Sequence, residues 1–167
     1  MSGTPEHSKA LVTNTTPLIA LTAALGNLDI LKFMYARVLV PFEVAQELRS
    51  GGKSLFGVDV FDAADWLDVQ DRPVQLMPFL KNSLDIGEAS VIQTALNLSL
   101  PLVCIDELVG RRTARLCGLN LTGSLGVMLK ARQRGYQVDV LGAMNNMKAH
   151  GIWLSPALVD SVLGQLQ

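Results

Sequence analysis

Two histidines, two cysteines and an aromatic content of 5% leave this chain few routes to several common kinds of site. His7 and His150 are too few and too far apart to hold a zinc ion. Neither lies near a candidate nucleophile, which argues against a hydrolase triad. Cys104 and Cys117 sit in apolar surroundings and read as core residues, not as a disulfide framework. An excess of basic residues is also missing. The net charge of −1 excludes a chain-wide positive field, so any nucleic-acid contact must come from a local patch. No apolar run reaches the ~20 residues of a membrane span, and MSGTPEHSKA lacks a signal-peptide core. A cytoplasmic protein is the simplest expectation. There is no GxxxxGK(S/T), no GxGxxG after a strand and no GxSxG elbow, so phosphate cradles and esterase sites are not indicated.

What the chain does have is apolar content, 49% of its residues, in a length suited to one domain with a real core. Some of that apolar surface is expected between subunits. Short apolar runs alternate with helical periodicity. Strands are expected at Ala10–Thr13, Val38–Val40, Trp66–Val69, Leu102–Ile105 and Leu119–Leu121. Helices are expected at 18–25, 28–35, 42–49, 58–64, 86–98, 108–116, 125–134, 140–149 and 156–166, with a helical turn near Met77–Lys81. Gly26, the Gly51-Gly52 pair, Gly118, Gly135 and Gly151 act as stops. Alternation of this kind favours a mostly parallel sheet with helices on both faces. No repeat or linker divides residues 1–167.

The organising stretch is LDIGEASVIQTALNLSLPLVCIDE, residues 84–107. Asp85 is a good N-cap and Glu88, three residues on, completes the pattern of a capping box. Pro101 ends the helix, and Leu102–Ile105 is an unbroken apolar strand of the doubly covered parallel kind. Asp106 follows it, where open α/β sheets bind ligands. Asn14, Asp106 and the Thr122/Ser124 turn all follow strands and therefore share one sheet edge. Glu88 opens the helix leading into the Asp106 strand, and Glu47 belongs to a helix following another strand. Carboxylates crowded at one edge repel each other without a cation, and hard cations such as Mg²⁺ or Mn²⁺ take oxygen ligands. Each acid alone reads as a cap or a solvated surface residue; their shared location is the argument for metal.

Two charge patterns remain. Residues 108–138 carry Arg111, Arg112, Arg115, Lys130, Arg132 and Arg134 and no acid. A basic rim beside an acidic pocket suits a phosphodiester, with Arg111 and Arg112 nearest the pocket; the bland alternative is a pair of solvated helices. Asp59, Asp62, Asp65, Asp68 and Asp71 recur every third residue. They read as a solvated face or, alternatively, as a dock for a basic partner. The carboxyl-terminal apolar residues Ile152, Trp153, Leu154, Leu158, Val162, Leu163 and Leu166 either pack on the core or form a contact surface.

In order, the segments VTNTTPLIAL, LVPFEVAQEL, LDIGEASVIQTAL, LVCIDELVGRR and LTGSLGVMLKA resemble the PIN-domain superfamily, most closely a prokaryotic branch associated with toxin–antitoxin pairs. The resemblance spans nearly the whole chain. It implies a three-layer α/β/α sandwich and cleavage of single-stranded RNA by metal-activated water. It implies an acidic cluster carried here by Asn14, Glu47, Glu88 and Asp106, with Glu47, Glu88 and Asp106 as Mg²⁺ or Mn²⁺ ligands. Thr16 would support the first position by hydrogen bonding and Ser124 would lie at the far rim. Thr16, Arg111, Arg112 and Ser124 would meet the substrate. A homodimer and a small antitoxin blocking the pocket are the implied partners. The chain departs from the family at its first position, where Asn14 replaces the usual Asp. A neutral amide binds metal less tightly, so the resemblance leaves two outcomes: a ribonuclease toxin, or a weakly active or inactive RNA- or protein-binding module.

Overall fold

Among the described residues the sheet has five strands in the order β3-β2-β1-β4-β5, every neighbouring pair parallel. They are β1 (Ala10–Thr13), β2 (Arg37–Val40), β3 (Asp68–Val69), β4 (Leu102–Cys104) and β5 (Asn120–Thr122). The computed structural model describes residues 9–51 and 56–167. His7, the amino-terminal segment and part of the Gly51-Gly52 stop and of the stretch from Ser54 lie outside them. The register sets Val12 opposite Val103, Thr13 opposite Cys104 and Cys104 opposite Thr122. The ends of β1, β4 and β5 are therefore level. Leu11, Val12, Leu39, Val40, Val103 and Cys104 are fully buried, as expected for parallel strands covered on both faces. Cys104 and Cys117 are free thiols.

Helices join the strands: α1 (Thr15–Leu25), α2 (Asp29–Met34), α3 (Phe42–Arg49), α4 (Val58–Ala63), α5 (Pro78–Ser83), α6 (Ile86–Asn97), α7 (Leu108–Leu116), α8 (Ser124–Gln133), α9 (Val140–Ala149) and α10 (Pro156–Gln165). The result is the α/β/α sandwich expected from the pattern. α6 lies on β1 and β4 and packs against α3 and α5, while α1 packs against α9 and α8, and α2 against α8. The strongest local signals give the best boundaries. Gly26, in the left-handed region at φ +78°, closes α1 and donates its N–H to Thr22 O at 2.8 Å. α1 begins three residues earlier than its apolar run, because Pro17 fits the first turn of a helix that opens at Thr15.

Two surface expectations resolve simply. In the aspartate row, Asp68 pairs with Arg37 at 2.6 Å and Asp62 with Arg49 at 2.9 Å, both exposed. Two of the five thus have partners in their own chain, as on a solvated face. The carboxyl-terminal apolar residues divide: Val162 is buried where α10 meets α8, whereas Trp153 is 79% exposed. Among the described residues, no helix is long and apolar enough to cross a membrane.

Candidate functional site

The strand order places a topological switch between β1 and β4: the chain leaves β1 for β2 on one side and β4 for β5 on the other. Crevices open at the carboxyl ends of strands at such a point. Here the segments following β1 and β4 are stapled by a hydrogen bond from Asn14 N–H to Cys104 O, 3.1 Å long. Asn14, Thr15 and Thr16 enter from β1, and Asp106 and Glu107 from β4. α6 and α3 supply the remaining walls.

Asp85 caps α6 by accepting the Glu88 N–H at 2.8 Å. The Glu88 carboxylate, by contrast, turns inward against Gly110 of α7. It is 5% exposed, and its Oε2 has no hydrogen-bond partner among the described residues. Asp85, Glu88 and Glu107 each bring a carboxylate oxygen to within 4.8 Å of the others, a group able to hold a metal ion. Burial, and then the neighbouring carboxylates of Asp85 and Glu107, push Glu88 up to about 9.

Glu47 of α3 reaches the same pit. Its Oε2 accepts the Thr15 hydroxyl at 3.1 Å and lies against Gly87, where the Asn14 amide oxygen also approaches. Desolvation raises its pKa; the Thr15 hydrogen bond opposes that, and the charges of Asp85 and Glu107 add to it. Asn14 is 3% exposed, and its Oδ1, like Glu88 Oε2, is buried without a partner among the described residues. The donors are thus all oxygen, two are orphaned, and the carboxylates are destabilised by one another. Those are the properties of a hard-cation site, and the residues fit a divalent metal.

Asp106 lies next to Glu107 and feels its charge, but is not one of the three acids of this group. Its Oδ1 accepts the Ser124 N–H at 2.8 Å, at the start of α8. Burial raises its pKa, while the Ser124 hydrogen bonds and the Arg111 charge hold it down. The geometry gathers Glu88, Glu47 and Asn14 of the sequence-derived set with two residues outside it, Asp85 and Glu107. Asp85 looked like a plain cap, and Glu107 was overshadowed by its neighbour. The pair of adjacent acids after β4 was the available signal. The Thr16 hydroxyl donates to Glu107 Oε1 at 2.9 Å and so supports Glu107, not Asn14. Arg111 Nη1 donates to the carbonyls of Ile105 at 2.7 Å and Thr122 at 3.2 Å, tying the ends of β4 and β5 together. Arg112 is exposed.

Three glycines border the pit, and each stands where a side chain would strike a functional group. A Cβ at Gly87 would collide with Glu47, one at Gly110 with Glu88, and one at Gly123 would lie 2.6 Å from Asp106 Oδ1. IGE, VGR and TGS are therefore signatures of close approach that no periodicity reveals. Gly110→Ala tests this. Alanine normally favours a helix interior over glycine by up to about 1 kcal/mol, yet here the methyl also meets Ile105 Cγ2 at 2.9 Å. The expected outcome is a loss of about 1–3 kcal/mol and a diminished Mn²⁺-induced rise in melting temperature. Net stabilisation in thermal denaturation would show that Glu88 does not occupy the space assigned to it.

A family model described as a PIN domain matches residues 10–167. No curated protein matches the sequence.

Proposed function

The chain belongs to the PIN-domain family, and from that premise we propose that it is a Mg²⁺- or Mn²⁺-dependent endoribonuclease acting on single-stranded RNA. The observation that carries the reading is the pair of orphaned, buried oxygens, Glu88 Oε2 and Asn14 Oδ1, in a pit with Asp85, Glu107 and Glu47. Glu88, Glu107 and Asp85 would hold the cation, with Glu47 and the Asn14 amide completing its surroundings. A bound divalent cation supplies charge neutralisation at a phosphate and lowers the pKa of water. Thr15 and Thr16 fix Glu47 and Glu107 by hydrogen bonds. Asp106 acts from the adjoining position, fixing the amino terminus of α8 while lending charge to the pit; Ser124 meets the substrate at that rim. Arg112 meets the substrate's phosphates, and Arg111 holds the floor on which they sit.

The reading extends to the toxin half of a toxin–antitoxin pair, in the cytoplasm and as a homodimer. Ile86, Leu108 and Val109 are more than half exposed near the pit's acids, an apolar border suited to cover by another protein chain. Induced synthesis is then expected to arrest growth, with relief by a small protein encoded beside it.

The direct test is cleavage of single-stranded RNA with and without Mn²⁺, in the parent, Glu107→Gln and Asp106→Asn. Glu107→Gln is expected to lose roughly 10-fold or more in activity and metal affinity. Asp106→Asn is expected to lose activity with a smaller change in affinity. Undiminished cleavage by Glu107→Gln would remove the acidic group from the mechanism. One observation favours a second reading, a binding module without turnover: the neutral Asn14 at a position where the family usually has a charge.

A further inference from the structure

Beside the acidic pit lies a cavity of about 520 Å³, a size typical of small-ligand sites. The two are continuous, since Thr16 and Glu107, joined by their hydrogen bond, line the cavity as well. At that end its wall is polar and charged, with Asp106, Arg111 and Ser124. Further in it is apolar, and Trp153, from the segment before α10, stands at it with most of its surface in solvent. An indole left exposed beside a built cavity has no role in the core. Nucleobases have the matching character: two apolar faces and a polar edge. Single-stranded RNA is bound by splaying bases onto aromatic side chains while cations track the backbone.

We propose that this cavity is a base-binding subsite, in which Trp153 stacks on one base of a single-stranded RNA whose neighbouring phosphate lies at the acidic pit. The proposal rests on the reading of the pit as a phosphodiester site, and it assigns Trp153 to positioning and sequence preference. Two features favour RNA over a peptide as the occupant. The cavity opens into the pit where a phosphate would sit, and its wall sets two cations, Arg111 and Lys130, beside the acids Asp106 and Glu107.

The experiment uses the full chain with Trp66→Phe, so that Trp153 is the sole tryptophan. A short single-stranded oligoribonucleotide is titrated with Ca²⁺ in place of Mn²⁺, so that the pit's carboxylates are neutralised, while indole fluorescence is followed, and cleavage positions are mapped separately with Mn²⁺. RNA is expected to quench Trp153, and one abasic residue at the stacking position is expected to weaken binding about 10-fold. Trp153→Ala, made in the parent and followed by fluorescence anisotropy of labelled RNA, should lose the same factor, become indifferent to the abasic change and cut at altered positions. Trp153→Phe should retain most of the affinity. Since Trp153 is so exposed, neither substitution threatens folding. If the parent cleaves but Trp153→Ala matches it in affinity and cleavage positions, the subsite is overturned while the nuclease stands. If Trp153 senses intact but not abasic RNA and no cleavage occurs with Mn²⁺, the subsite stands and the nuclease falls. Failure of any RNA to quench Trp153 also overturns the subsite and leaves the cavity to a protein segment.

Discussion

Glutamine in place of Glu88 is expected to lower Mn²⁺-dependent RNA cleavage by roughly 100-fold or more, and at the same time to raise the melting temperature of the metal-free protein above neutral pH. The opposite signs come from one cause. Burial and the adjacent acids raise the Glu88 carboxyl from 4.5 to about 9, so between those values the metal-free fold keeps a proton that the unfolded chain releases. The folded state then binds more protons, and its stability declines as pH rises. The contribution is complete below about 4.5 and gone once pH passes about 9. Glutamine keeps the shape and cannot ionise, so this slope disappears. At pH 8 the gain should be a few kcal/mol, a rise of several degrees or more in melting temperature for a chain of this length. Saturating Mn²⁺ should reverse the ranking, because a cation binds the ionised carboxylate of the parent and stabilises it by mass action. Melting curves from pH 5 to pH 9, with and without Mn²⁺, decide the matter. A variant with the parent's pH slope and the parent's Mn²⁺ response would place Glu88 outside the metal's reach.

Aspartate in place of Asn14 is expected to act in the reverse direction. Asn14 is buried, with its side-chain oxygen unpartnered and close to the Gly87 backbone against which Glu47 also rests. The substitution keeps the outline of the side chain and adds a negative charge to a pit that already has too much. The metal-free protein should lose about 1–3 kcal/mol, seen as a lower melting temperature. Mn²⁺ affinity by calorimetry should rise roughly 10- to 100-fold, and cleavage should rise with it. An inactive parent converted into an efficient nuclease would establish the binding-module reading of the natural chain. Unchanged affinity would remove residue 14 from the metal's surroundings.

The scaffold was readable because it rests on short-range rules. Phe42–Arg49, Leu108–Leu116 and Val140–Ala149 begin and end where their caps and apolar spacing put them, and the strand at Leu102 was marked by an apolar run between Pro101 and Asp106. The direction of each side chain was not readable. Asp106 and Glu107 are neighbours, with Glu107 in extended backbone at φ −81° and ψ 139°, and successive side chains of extended backbone point to opposite sides. One therefore reaches the first amide of α8 and the other reaches Glu88. The same limit applies to the capping box, where Asp85 behaves as its sequence suggests while Glu88 turns into the pit. Asn14 occupies an N-cap position without using its side chain as a cap, for a reason that only the surroundings supply. The glycines at 87, 110 and 123 matter through what lies across from them, which is contributed by other segments.

β1 pairs with β4 across some ninety residues of chain, and the acids flank that seam. During synthesis, the half of the molecule that emerges first holds Asn14 and Glu47 but none of the other three. A centre built this way is incomplete until the later strand arrives, so whatever chemistry the proposed nuclease performs begins only after most of the polypeptide has been made.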